Sequence, residues 1–225
     1  MAIADAEFSE HTSKPSMGLV LRGGAAALTA ARGEVVLTSG PVGSGKSMWL
    51  LRLAGIEAFP EGVDCQLDGL PWPGPSGEKL RMLPDGFERL WLGHDVADEM
   101  SFGLKPRPTE QQMRQMLDAW RVPGLALDAP LQGLDRLRAL RVALAAMTLA
   151  EPAIMLLDNP AAALPVEDGA LLRQDVRVWA RQTSMVVVAA CNRWQDWRDV
   201  ADQRWQCSNE GDMPVKMSWE ESGHA

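Results

Sequence analysis

The eight residues Gly40-Pro41-Val42-Gly43-Ser44-Gly45-Lys46-Ser47 constrain this chain more than any others. They satisfy the pattern G-x-x-x-x-G-K-[ST] and carry an additional glycine at position 43. Glycines let successive backbone N–H groups turn inward around a phosphate, and a helix beginning at the loop presents its positive end to the same anion. Lys46 supplies a mobile cation for the β- and γ-phosphates, and the Ser47 hydroxyl suits Mg²⁺. Chance puts the four fixed positions into roughly one chain of this size in a hundred. The flanks weaken that alternative. Glu34 to Ser39 is a short apolar run of strand type, and Ser47 to Ala54, opening Ser47-Met48-Trp49, is of helical type. Strand, loop and helix in that order are what the geometry requires. The expectation is an α/β fold that binds a nucleoside triphosphate across Gly40 to Met48.

A length of 225 residues with 46% hydrophobic content suits one α/β domain with a sizeable core. The net charge of −8 disfavours nonspecific binding to a polyanion, and no run of Lys or Arg offsets it, so no nucleic-acid partner is expected. Cys65, Cys191 and Cys207 are far apart, odd in number and without metal-ligand spacing, as expected of reduced thiols in the cytosol. The N-terminus has no signal-type apolar stretch. The apolar stretch Val142 to Ala150, bounded by Arg141 and Glu151, is too short to span a bilayer. A role at a membrane would therefore run through a partner.

Along the chain, residues 1–17 form a polar N-terminal segment, and Gly18 to Leu21 and Ala25 to Thr29 have strand character. Pro and Gly between Phe59 and Gly86 predict turns and short strands. The run Arg89-Leu90-Trp91-Leu92 is expected to be a central strand. Thr109 with Gln112 predicts a capping box, and Met113, Met116, Leu117 and Trp120 then share one helical face. Further helices are expected over Leu134 to Ala150, with Leu134, Leu137, Leu140, Leu144 and Met147 as a stripe, and over about Val166 to Gln182. The continuous apolar runs Ala153 to Asp158 and Met185 to Ala190 read as parallel strands buried on both faces. Strand and helix alternate, so the sheet is mainly parallel.

Asp158 ends one of those strands downstream of the phosphate loop, where a carboxylate can hold the same Mg²⁺ as Ser47. With this second element the chain resembles the nucleotide-binding domain of the ATP-binding cassette (ABC) family, from about Leu28 to Trp205. The resemblance rests on Gly33-Glu34, Leu53-Ala54-Gly55, Leu67-Asp68-Gly69 and Asp98 to Leu104, then on Leu131-Gln132-Gly133-Leu134-Asp135-Arg136, Arg141 to Ala145, Glu151-Pro152, Ile154 to Pro160 and Ala162-Ala163-Leu164-Pro165. It implies a P-loop NTPase core, a small antiparallel β region and an inserted helical subdomain at about residues 96–150. The domain would run from 18 to 208, followed by a C-terminal tail over 209–225.

Where the chain departs from the family, the direction is consistent. The position after Asp158, where the family carries a water-activating glutamate, holds Asn159, and an amide accepts no proton at neutral pH. General-base catalysis is worth about 10²–10⁴ in rate, or roughly 3–5 kcal/mol of barrier. The switch histidine falls on Asn192, and the glutamine of the loop joining the subdomains falls on His94, or on Asp95 in the neighbouring register. In the signature L-S-G-G-Q, Gln132 replaces the serine, Gly133 is kept and Leu134 replaces the second glycine. No tyrosine exists to stack on adenine, and Phe8 is the sole N-terminal aromatic. The resemblance implies Mg-ATP bound at a dimer interface with strongly impaired hydrolysis. It also implies a second ABC-type nucleotide-binding subunit, identical or not, and a separate membrane-spanning subunit, with this chain peripheral on the cytoplasmic face. The alternative is a non-hydrolysing ATP-binding regulatory or assembly protein on the same fold. A small P-loop kinase fits less well, because the chain has no arginine-rich lid segment.

Overall fold

The computed structural model describes residues 18–73, 79–209 and 212–219. Phe8 and the expected polar segment over 1–17 lie outside them. Two sheets form the framework. The smaller is antiparallel, in the order β2-β1-β4-β5, from β1 (Leu19–Gly23), β2 (Ala26–Ala30), β4 (Val63–Leu67) and β5 (Leu70–Pro71). Asp68 and Gly69, both at positive φ, close the β4–β5 hairpin in two residues, the turn chemistry that such a connection needs.

The larger sheet has the order β10-β9-β3-β8-β7-β6, from β3 (Val35–Ser39), β6 (Leu80–Leu83), β7 (Ile154–Asp158), β8 (Val186–Ala190), β9 (Gln203–Gln206) and β10 (Val215–Met217). All of its neighbours pair in parallel except β10 with β9. The stretch expected as a C-terminal tail thus supplies the edge strand β10. Alternation along the central strands feeds two cores. Val35, Leu37, Met155, Leu157, Val187 and Ala189 point into one, and Val36, Ile154, Leu156, Val186, Val188 and Ala190 into the other. The second core lies against α1 (Lys46–Leu53) and the small sheet, the first against the remaining helices.

Those helices are α2 (Val96–Ser101), α3 (Glu110–Ala119), α4 (Arg136–Leu149) and α5 (Val166–Thr183). Thr109 caps α3 through the expected capping box with Gln112, and Asp135 caps α4 by accepting from the Arg138 N–H at 3.0 Å. Helix α4 is buried on nearly every side, from Ala139 through Ala145. No helix among the described residues is long and apolar enough to cross a membrane.

One expected element is overturned. Arg89 to Leu92 is not a central strand. Gly86, at φ 71°, turns the chain into a short 3-10 turn over Phe87–Arg89, and Glu88 there pairs with Arg136. Leu90 and Leu92 are 57% and 63% exposed, incompatible with a strand buried on both faces. The strand next to β7 is β6, just upstream.

Candidate nucleotide site

The parallel strands β3, β8, β7 and β6 end on the same edge, where open α/β sheets bind their ligands. Each strand brings its C-terminal residues or its next loop to that edge. The phosphate loop comes after β3, Cys191 and Asn192 after β8, Asp158 and Asn159 at the end of β7, and Asp85 two residues past β6. Together with Val42, Gly43, Gly45, Lys46, Ser47, Met48 and Leu51, they line a cavity of about 360 Å³.

The loop owes its shape to glycine. Gly40 has φ 147°, and a Cβ there would sit 2.4 Å from the Cys207 carbonyl oxygen and from Ser44 Oγ, so nothing larger fits. Gly43 has φ 82° with open space on its Cβ side. Lys46 is buried, and its Nζ donates to the carbonyls of Gly40 at 2.9 Å and Pro41 at 2.8 Å. The Ser44 hydroxyl is buried and has no hydrogen-bond partner among the described residues. A spare buried donor, a lysine held at the loop by two carbonyls and a helix N-terminus without a side-chain cap suit a phosphate group.

The oxygen donors fit Mg²⁺ as well. The Ser47 hydroxyl donates to the Asp158 carboxylate, so two hard ligands lie side by side at the loop. No cluster of three or more His, Cys, Asp or Glu suited to a metal occurs among the described residues. An ion at Ser47 and Asp158 would therefore complete its shell with phosphate oxygens and water. Burial pushes the Asp158 carboxyl above its ordinary range; the Ser47 hydrogen bond opposes that, Asp85 adds to it and Lys46 opposes it.

The remaining expected residues divide. Asn159 and Asn192 line the cavity. Asn159 adopts φ 52°, a conformation that asparagine tolerates, and its N–H donates to the Ala190 carbonyl at 2.9 Å. His94 is exposed and does not line the cavity, and Asp95 caps α2 by accepting from the Asp98 N–H at 2.8 Å. Asp85 is the residue of that region which faces Asp158, and the sequence pattern alone did not single it out. Its signal was the apolar run Leu80 to Leu83 breaking at Pro84-Asp85-Gly86, the pattern of a parallel strand with a loop at its C-terminal end. Gln132 and Gly133 are exposed in a 3-10 turn before α4 and lie outside this cavity. Leu134 is half-buried and packs on the core at φ −78°, where the backbone has no need of glycine. The β1–β2 connection, Gly24-Ala25, holds no aromatic residue, and neither does the cavity lining.

Fold and site define a P-loop nucleotide-binding domain. No family model matches the chain. Among curated proteins it is similar to the sulfate/thiosulfate import ATP-binding protein CysA of Brucella melitensis, at 32% identity over 168 residues, covering 69% of this chain and 44% of that protein. It is likewise similar to the aliphatic sulfonates import ATP-binding protein SsuB 2 of Burkholderia lata, at 34% identity over 144 residues, covering 61% and 49%. The matches thus span about half the length of these relatives. Among solved structures, CbiO1 from Clostridium perfringens, part of the ABC transporter complex CbiONQ, superimposes with a TM-score of 0.77 at 19% identity, covering 89% of this chain and 88% of that one. A bacterial Atm1-family ABC exporter with ATP bound gives 0.73 at 17% identity, covering 96% and 41%. The chain belongs to the ATP-binding cassette family of nucleotide-binding domains.

Proposed function

We propose that the chain is an ATP-binding subunit of an ABC-type transporter that holds Mg-ATP at a dimer interface and hydrolyses it slowly or not at all. The observation that carries this reading is the pairing of an intact phosphate loop with Asn159 directly after Asp158. Lys46 and the loop N–H groups bind and orient the phosphates; Ser47 and Asp158 would hold the ion, whose charge would draw electron density from the terminal phosphate. The Asn159 amide can position a water but takes no proton from it. Asn192 can donate a hydrogen bond but carries no positive charge.

The relatives named as import ATP-binding proteins support the transporter class. So does an apolar groove of about 580 Å³ lined by Leu83, Phe87, Leu90, Leu92, Phe102 and Met147, a surface suited to a helix of a membrane-spanning subunit. Lys46→Ala is expected to lower ATP affinity at least tenfold, about 1.4 kcal/mol, in a titration with labelled nucleotide. Unchanged affinity would sink the assignment of the loop. Purified wild-type chain is expected to show negligible phosphate release, and brisk release would overturn the hydrolysis claim.

Asp85 favours a second reading, because its carboxylate faces the same cavity and could accept the proton that Asn159 cannot. Under that reading turnover is measurable and Asp85→Asn abolishes it.

A further inference from the structure

Helix α5 carries a glycine in its first turns, Gly169, at a cost of about 1 kcal/mol relative to alanine. Its backbone is helical, so the conformational freedom of glycine goes unused. The missing side chain makes room instead. A Cβ at 169 would lie 3.1 Å from Nη1 of Arg173 and 3.7 Å from Cβ of Ala161. The Arg173 guanidinium folds back over the glycine, and the residue is only 9% exposed. Among the described residues it makes no hydrogen bond or ion pair. None of its nitrogens is sealed off from solvent without a partner, so the donors open onto the adjoining cavity, where an acceptor can reach them.

The group lines a cavity of about 250 Å³ together with Asn159, Cys191, Asn192, Arg193 and Asp196. Burial pulls the Arg173 pKa down and Asp196 opposes that, but the group stays charged at neutral pH. Asp196 is engaged by Arg193 at 3.4 Å, and burial pushes the Cys191 thiol up to about 12, so it stays neutral. The charged side chains of the lining therefore leave one positive charge over, on Arg173. The space is smaller than the roughly 300–1,000 Å³ of sites for drug-sized ligands. It also adjoins the phosphate cavity, because Asn159, Cys191 and Asn192 line both. Cys191 feels the charges of both Lys46 and Arg173.

We propose that this cavity behind the phosphate loop is a second anion site, built on Arg173, that takes a tetrahedral oxyanion of the phosphate class. The guanidinium supplies a planar fork of donors suited to two oxygens of such an anion, and the amides of Asn159 and Asn192 offer further donors toward the nucleotide side. The occupant is free phosphate or the terminal phosphate of a nucleotide in the neighbouring cavity. The site itself does not depend on the chain being a transporter subunit.

The test is a titration of the full chain with inorganic phosphate, monitored by calorimetry and by ³¹P line width. Wild type is expected to bind phosphate saturably. Arg173→Gln should weaken that binding at least tenfold, and Gly169→Ala should weaken it too, since it fills the cradle while keeping the charge. Lys46→Ala, titrated alongside, should weaken it less than Arg173→Gln does. A non-hydrolysable triphosphate that displaces the phosphate, where ADP does not, identifies the nucleotide as the source. Phosphate binding unaffected by either compound identifies free phosphate. Absence of saturable binding, wild-type affinity in both Arg173→Gln and Gly169→Ala, or loss in Lys46→Ala with retention in Arg173→Gln would each overturn the proposal. The last of these would mean that the anion sits in the phosphate loop. Thermal melts of each variant separate lost binding from lost folding.

Discussion

Asp158 serves two opposed demands. In the proposed role its carboxylate must be ionised to hold a cation, yet burial raises its pKa and the neighbouring Asp85 adds to the rise, against the Ser47 hydrogen bond and Lys46. A carboxyl whose folded-state pKa lies above its unfolded value imposes no penalty below the unfolded pKa. As pH rises through the folded pKa, the buried charge costs stability, and the full cost is present once the pH exceeds it. Asp158→Asn should therefore stabilise the nucleotide-free chain at pH 7, read as a higher melting temperature. The gain should shrink as the pH falls into the ordinary carboxylate range. The same variant should lose the Mg²⁺ dependence of ATP binding. Melting curves from pH 4 to 8 check the first half, and nucleotide titrations with and without Mg²⁺ the second. A melting temperature that falls at pH 7 would mean that Asp158 has a structural role outweighing its desolvation.

At the scale of elements, the fold was legible wherever a local signal had one physical reading. Thr109 and Gln112 predicted the start of α3, and the cap is present on both sides, the Thr109 N–H donating to Gln112 Oε1 at 2.8 Å. Thr109→Ala should cost about 1 kcal/mol in a denaturant titration. The strand after Pro152 and the one after Ser184 were legible because a strand buried on both faces reads as an unbroken apolar run. Arg89 to Leu92 misled for the same reason: a short run of large apolar residues has the look of a core strand, and only tertiary context leaves Leu90 and Leu92 exposed in a groove. That error hid Asp85, since a site residue set by the end of a strand is found only when the right strand is found. Arg173 was illegible for a different reason, because an arginine in an amphipathic helix normally faces solvent. Its neighbour Asp175 is another charge of α5 drawn inward. Asp175 is 6% exposed and pairs with Arg121 at 2.9 Å and with the equally buried Arg141 at 3.7 Å, tying α5 to α4 and to the end of α3. Asp175→Asn should destabilise by about 3–5 kcal/mol, because it leaves Arg141 buried without its counter-charge. Equilibrium unfolding measures this directly, and a loss under 1 kcal/mol would mean that the pair is hydrated.

For the whole molecule, the decisive arrangement is what one copy of the chain does and does not bring to a single cavity. The loop, Asp158, Asn159 and Asn192 converge, whereas Gln132 and Gly133 stay exposed before α4, outside that cavity. If nucleotide is completed across an interface, repair of the base alone restores nothing in a homodimer, since each site would still face Gln132-Gly133-Leu134. Asn159→Glu therefore should leave phosphate release by the isolated chain unchanged. When mixed with an ABC subunit carrying an unaltered L-S-G-G-Q signature, the same variant should gain about 10² or more over the wild-type mixture, the scale of a restored general base. Adding Lys46→Ala should remove the gain, because the repaired base then has no phosphate to act beside. Brisk turnover by Asn159→Glu alone would mean that the site is complete within one chain or that Leu134 is tolerated in the signature. Either result would confine the defect to Asn159, and the dimer interface would no longer be needed to explain it.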